Sequence, residues 1–157
     1  MAKNLFVISS IILITSFAAI EVHAELIKPN YTIKPFQVVK IQLTSLKQND
    51  KPKKDNGIEQ TWEFAHPSNR KNTGPSDRFK TMIKGKSYGM LLNHLDHKVV
   101  EIKSTDLSAL FEVTVLDKDK AYYKFNWTVE KYTAEGPLKG CWLTTMVTAP
   151  TPLGSSI

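Results

Sequence analysis

The sequence predicts an α+β fold: N-terminal helices packed on one face of a curved, cone-like antiparallel sheet of about four strands. Helical spacing of apolar residues dominates up to about residue 95, and strict alternation of apolar and polar residues dominates after it. Helices followed by a strand meander segregate to one side of the sheet. The 157 residues suffice for a single domain with its own core.

The first 24 residues predict a signal peptide. Lys3 gives a positive start, residues 5–20 are apolar, and the small residue Ala24 marks a cleavage point. Because the apolar stretch is shorter than the roughly 20 residues that span a bilayer, we favour cleavage over retention as an anchor. We therefore expect export, to the periplasm or the cell exterior, with residues 25–34 as the N-terminal lead.

Three helices are predicted in residues 35–92. In the first, Pro35 suits the opening turn and the residues after it recur at helical spacing, namely Phe36, Val39, Leu43 and Leu46. The second begins at Asp55 or Asn56 and ends before Pro67, which leaves residues 68–74 as a loop. The third runs from residue 75 to Gly85, and a further helical turn follows around Tyr88.

Four strands are predicted at residues 98–103, 109–117, 120–132 and 140–148. In the third, one face is apolar and faces the core, with Tyr123, Phe125, Trp127 and Val129. Residues 150–157 are expected to be a flexible tail, so the single domain is predicted to cover residues 35–149. The one cysteine, Cys141, is expected to be a buried thiol rather than an intermolecular link.

Residues 57–82, with the helix before them and Tyr88 after them, resemble an uncharacterised domain-of-unknown-function family (DUF 4864) related to the nuclear-transport-factor-2-like and cystatin-like cone folds. The resemblance spans about residues 35–148 and departs from the family in the Lys-rich loop after Asp50 and between Lys103 and Leu110. It implies a cone with a cavity between sheet and helices, and a loop tied by Arg70 to Asp50 or Asp77. The positions in family-like order are Asp50, Phe64, Pro67, Arg70, Phe79, Met82 and Tyr88.

The sequence contains no phosphate-binding glycine loop, paired-cysteine metal motif, nucleophile elbow or zinc-protease helix motif. We therefore favour a non-enzymatic role in small-ligand binding or envelope interaction. The alternative is a small isomerase or hydrolase that uses His66 as the base and Tyr88 as its partner. His66 also has a structural interpretation, as a histidine at a helix end that interacts with the helix dipole.

A set of aromatic residues is expected to line a pocket for an apolar or amphiphilic small molecule, although core packing is the favoured interpretation for any one of them. These candidate ligand-binding residues are Trp62, His66, Tyr88, Tyr123, Phe125 and Trp127. No cofactor is predicted. His94, Asp96 and His97 lie close in sequence, but at a strand entry the two imidazole rings are expected to diverge, so no metal site is predicted.

The formal net charge of +6 is concentrated on the predicted helices and their loops. Such a surface predicts binding to an anionic envelope surface or a protein partner, and export argues against nucleic acid. The candidate residues for this contact are Arg70, Lys71, Arg78, Lys80, Lys84 and Lys86. A homodimer through the open face of the sheet is a further expectation.

Overall fold

A computed structural model describes residues 25–155, in which four helices pack on one face of a five-stranded antiparallel sheet. The predicted fold class is therefore confirmed. The predicted signal peptide lies outside the described residues. Within the described part of the chain, no helix is both long enough and apolar enough to cross a membrane.

The helices are α1 (Pro35–Lys47), α2 (Asn56–Glu63), α3 (Pro67–Thr73) and α4 (Ser76–Lys84), and a 3₁₀ turn follows at Gly89–Leu91. Helix α3 corrects the prediction of a loop. Pro67 begins a helix as well as ending one, because its fixed φ suits a first helical turn. The side chain of His66 caps this helix, with Nδ1 accepting the backbone N–H of Ser68 at 3.1 Å.

The strands are β1 (Asp96–Ser104), β2 (Ser108–Leu116), β3 (Ala121–Lys131), β4 (Trp142–Val147) and β5 (Thr151–Ser155). Their order is β1-β2-β3-β4, and β5 also pairs with β3. The expectation of a flexible tail is wrong for β5. Because β4 pairs only with the end of β3 that starts at Trp127, the edge of β3 from Ala121 to Lys124 is open, and the tail folds back onto it.

The core lies between α1 and the inner face of the sheet. As the alternation predicts, Phe125, Trp127 and Val129 of β3 are buried beside Phe111 and Val113 of β2. Helix α1 covers them with a buried apolar face, formed by Val38, Val39, Leu43 and Leu46. Cys141 is 2% exposed, which confirms the buried thiol, and burial raises the pKa of that thiol.

Helices α1 and α2 approach each other closely at Gly57. A Cβ at this position would lie 2.1 Å from the backbone oxygen of Ser45, so only glycine fits. The next residue is fixed by Asn49, whose Oδ1 accepts the backbone N–H of Ile58 at 3.1 Å. The N-terminal lead joins the same layer, because the Gln60 side chain both accepts from and donates to the backbone of Ile27. The helical layer is thus a single packed unit against the sheet.

Candidate functional site: a cavity between helices and sheet

A cavity of about 80 Å³ lies between the helical layer and the sheet. All four helices and strands β3 and β4 contribute to its lining. Most of the wall is apolar, with Leu46, Phe79, Met82, Ile83, Leu91 and Val147. An apolar enclosure with a few placed polar groups is the usual composition of a small-molecule pocket.

The polar groups of the cavity centre on Gln42, which is 1% exposed on the inner face of α1. Its Oε1 accepts a hydrogen bond from Thr144 Oγ1 at 2.6 Å and from Trp127 Nε1 at 3.0 Å. Its Nε2 donates to the backbone oxygen of Thr61 at 3.0 Å. These bonds fix the orientation of the amide, since exchanging its oxygen and nitrogen would place donors against donors.

Tyr88 stands between the cavity and solvent, because it lines the cavity and is only partly buried. Its ring stacks on that of Phe125 at 6.5 Å, and its hydroxyl donates to the backbone oxygen of Val147 at 3.2 Å. Burial raises the pKa of the Tyr88 phenol, which therefore stays protonated and neutral. The hydroxyl joins the turn after α4 to the end of β4.

The charge of the lining restricts what the cavity can bind. Among its lining residues, Tyr88 is the single ionisable one, and the other polar groups are amides, hydroxyls and the indole N–H of Trp127. Moving an unpaired charge into such surroundings carries a large desolvation cost, and the lining offers no opposite charge to offset it. The cavity is therefore suited to an uncharged ligand group.

The aromatic residues proposed from sequence fall into two groups. Tyr88 and Trp127 line the cavity, whereas Trp62, Tyr123 and Phe125 are not among its lining residues. Phe125 lies behind Tyr88 in the core. Trp62 packs instead against Phe79, with ring centroids 4.9 Å apart.

His66 is also absent from the lining, so the structure does not bring it together with Tyr88 at the cavity. Its Nδ1 lies 2.7 Å from Ser68 Oγ, and its ring packs edge-on against Tyr132 at 5.5 Å. Burial lowers the pKa of His66, and the nearby Glu130 carboxylate partly opposes this. The geometry is that of a helix cap.

Arg70 has a structural role, but its partners differ from those that the sequence predicted. Instead of pairing with Asp50 or Asp77, its guanidinium donates to the backbone oxygens of Ala65, Trp62 and Glu63 at 3.0, 2.8 and 3.0 Å. It thereby gives a further donor to carbonyls at and just beyond the end of α2, where helical hydrogen bonding stops. Arg70 thus stabilises the connection between α2 and α3.

The other basic candidates divide by their surroundings. Lys84 Nζ lies 2.7 Å and Lys80 Nζ 4.0 Å from Asp55 Oδ2, so these two amines face a carboxylate. Lys71, Arg78 and Lys86 are exposed. The free positive charge of this surface therefore lies on α3, the start of α4 and the turn after it.

The polar residues around Gln42 were missed by the sequence analysis. Gln42 does interrupt the apolar stripe of α1, one turn after Val39 and one turn before Leu46, and that position is a usable signal. Thr61 and Thr144 give no comparable signal, because threonine is common both in helices and in strands.

The expectation that the imidazole rings of His94 and His97 diverge is wrong, because the two rings converge. His94 Nε2 lies 2.7 Å from His97 Nδ1, and the ring centroids are 5.0 Å apart. The chain turns at Asn93 with φ 55°, and β1 places His97 opposite the core residue Val115. Among residues 25–155, no group of three or more potential metal ligands converges.

Comparisons with protein-family models, curated proteins and solved structures returned no match for this chain. The family resemblance drawn from residues 57–82 therefore stays a prediction.

Proposed function

We propose that this domain is an exported binding protein for a small uncharged ligand with an apolar chain, held in the cavity between the helices and the sheet. The observation that carries the proposal is the lining itself, with apolar walls, amide and hydroxyl groups, and no charged side chain. An apolar chain placed there loses contact with water, which is the main source of affinity in such sites.

The size of the cavity narrows the class of ligand. Its volume of about 80 Å³ is smaller than the roughly 150 Å³ cavity known to admit benzene. We therefore propose a thin, short aliphatic chain rather than a ring system. The same lining offers polar groups to a hydroxyl or carbonyl on this chain, namely those of Asn69, Thr73 and Tyr88.

The first experiment is native mass spectrometry of residues 25–157 purified gently from an exporting host. A co-purified small molecule supports the proposal and identifies its chemistry. The same spectrum reports the mass of the assembly, so it also tests the proposed homodimer. If the spectrum shows the protein without a ligand, the titration described next tests the proposal.

The second experiment follows backbone amide NMR shifts during titration with 1-butanol, and with butanoate and butylammonium as charged controls of matched length. We expect saturable shifts at cavity residues with the alcohol alone. Ala65→Leu fills the cavity and should abolish them, while Ala121→Leu adds the same atoms on β3 outside the lining. If Ala65→Leu fails to fold, Met82→Trp blocks the same cavity. Equal shifts with all three compounds, or none with butanol, contradict the proposal.

A second proposed role is docking to an anionic envelope surface through the exposed cations Lys71, Arg78 and Lys86. Each cation near an anionic surface contributes about 1 kcal/mol. Binding of the protein to vesicles with 30% anionic lipid should weaken on replacing all three by Gln, roughly a hundredfold or more. Matched neutral vesicles are the control, and equal binding to both contradicts this role.

The enzymatic alternative with His66 has no comparable support, because His66 caps α3 away from the cavity.

A further inference from the structure

The hydrogen bonds of His94 and His97 restrict where the two rings carry their hydrogens. His94 is 2% exposed, and its Nδ1 lies 2.7 Å from the backbone oxygen of Leu91. A carbonyl oxygen only accepts, so this Nδ1 must hold the hydrogen. In the neutral ring, Nε2 is then an acceptor, and the hydrogen of the bond between the imidazoles belongs to His97 Nδ1. The 2.7 Å between the two facing nitrogens therefore holds one hydrogen and not two.

Protonation of both rings removes this bond. With one added proton, His97 holds its hydrogen on Nε2 and its Nδ1 accepts from His94 Nε2, but with two added protons each facing nitrogen carries a hydrogen across 2.7 Å and two donors meet. The buried ring gains no compensating hydration unless it moves. Since the second added proton converts an attraction into a repulsion, the pair has two discrete states.

The charged groups around the pair favour the neutral state. Lys47 and Lys40 of α1 disfavour a charge on the imidazoles, and Asp96 of β1 favours it. Asp96 is largely exposed, and Lys47 lies 3.9 Å from it. Lys98 and Tyr122 line a groove together with His97. Burial is the largest cause, and it lowers the pKa of His94 to about 4 and that of His97 below its usual value.

The pair fastens a segment that belongs to the cavity. Leu91, the acceptor for His94, is a cavity-lining residue, as is Leu46 of α1. Two backbone bonds hold the same segment, from Asn93 N–H to Leu46 at 2.9 Å and from Leu95 N–H to Leu116 at 2.8 Å. Release of the imidazole bond therefore acts directly on the cavity wall.

We propose that the His94–His97 pair is an acid-sensitive latch, which holds residues 91–95 closed at neutral pH and releases them when the imidazoles are protonated. Opening of this segment exposes the cavity. The latch stands on the geometry of the two rings alone, while its consequence for ligand release rests on the proposed function.

The test of the latch is amide hydrogen exchange at Asn93 and Leu95, corrected for the intrinsic pH dependence of exchange. Between pH 6.5 and 4.5, the open population should rise up to tenfold per pH unit for each proton taken up. Amides in the centre of β3 should keep their protection, which separates local opening from global unfolding. Unchanged protection at Asn93 and Leu95, or a parallel loss throughout β3, overturns the proposal.

Two variants sharpen the result. His97→Asn keeps an N–H donor near His94 Nε2 but removes one titrating ring, so the pH dependence should fall to that of a single proton. His66→Asn removes a partly buried histidine outside the pair and should leave the dependence unchanged. An equal effect of the two variants overturns the assignment to the pair.

The coupling to the cavity is tested with 1-butanol at pH 7.0 and pH 5.0. Its affinity should fall in parallel with the protection of Asn93 and Leu95. If the segment opens and the affinity stays constant, the coupling is wrong although the latch stands. If butanol fails to bind at pH 7.0, the proposed function is wrong, and the exchange data still decide on the latch.

Discussion

Trp127 Nε1 lies 3.0 Å from Gln42 Oε1, so a hydrogen bond joins the centre of the sheet to the middle of α1. Both residues are fully buried. A polar bond inside an apolar core is directional, so it defines how far α1 can slide along β3, whereas apolar packing alone tolerates many positions. The same bond lies in the wall of the cavity, so the fold and the candidate site share one polar cluster.

The first prediction concerns Gln42→Met, which keeps the shape of the side chain and removes its polar atoms. The backbone oxygen of Thr61 and the hydroxyl of Thr144 each lose a partner, while Trp127 retains Thr144 Oγ1 at 3.2 Å. We expect the free energy of unfolding to fall by about 3 kcal/mol. Urea unfolding measures it. Thr144→Val, which removes one hydroxyl, should lose about 1 kcal/mol, and a smaller loss for Gln42→Met than for Thr144→Val contradicts the role of Gln42.

The second prediction concerns the hydroxyl of Tyr88. Tyr88→Phe keeps the stack on Phe125 and loses the bond to the Val147 carbonyl, so the free energy of unfolding should fall by about 1 kcal/mol. Tyr88→Ala also removes the ring and should lose about 3 kcal/mol. Thermal unfolding of both variants gives the comparison. Equal losses would contradict a stabilising contribution of the ring and its stack on Phe125.

The third prediction separates Arg70 from its basic neighbours. Arg70→Met leaves three backbone carbonyls without the guanidinium, and we expect a loss of about 2 kcal/mol in unfolding free energy. Arg70→Lys should recover only part of it, because an ammonium lacks the planar fork. The neighbouring control, Lys71→Met, should change stability by less than about 0.5 kcal/mol. Full recovery by lysine would contradict a role for the fork.

The fold could be predicted because the deciding patterns are local. Alternation along residues 123–129 and helical spacing in α1 depend on neighbours within a few residues, and these elements agree with the structure. Helix α3 could not be predicted in this way. Pro67 is compatible both with ending one helix and with beginning another, and the side-chain cap from His66 decides between them.

The parts that could not be predicted depend on distant pairs. The tail becomes β5 because the open edge of β3 lies beside it in space. The polar wall of the cavity joins Gln42 to partners 85 and 102 residues further along the chain. The convergence of the two histidines could not be predicted, because a strand entry predicts diverging rings and the turn at Asn93, with its positive φ, leaves no pattern in apolar spacing.

The fourth prediction is a loss of stability with acid in two separate pH ranges. The pKa of His94 is about 4 in the folded protein and 6.5 when exposed. Between these values the unfolded state binds more protons, so stability falls as the pH falls, by about 3 kcal/mol. Asp55 affects stability in a lower pH range, because its hydrogen bond to Lys84 holds the pKa of the carboxyl below 3.8. Its contribution is present above that value and is lost as the pH falls below it.

Urea unfolding at pH 7.0, 5.5, 4.0 and 3.0 measures both losses. In His94→Gln the loss between pH 6.5 and 4 should be much smaller, because the amide does not titrate. Asp55→Asn keeps a residue that tolerates the left-handed backbone at φ 65°, and it should reduce only the loss below pH 4. A flat stability profile from pH 7.0 to 4.0 in the unmodified protein would contradict the assignment to His94. A change in both ranges from either single substitution would show that the two groups are coupled.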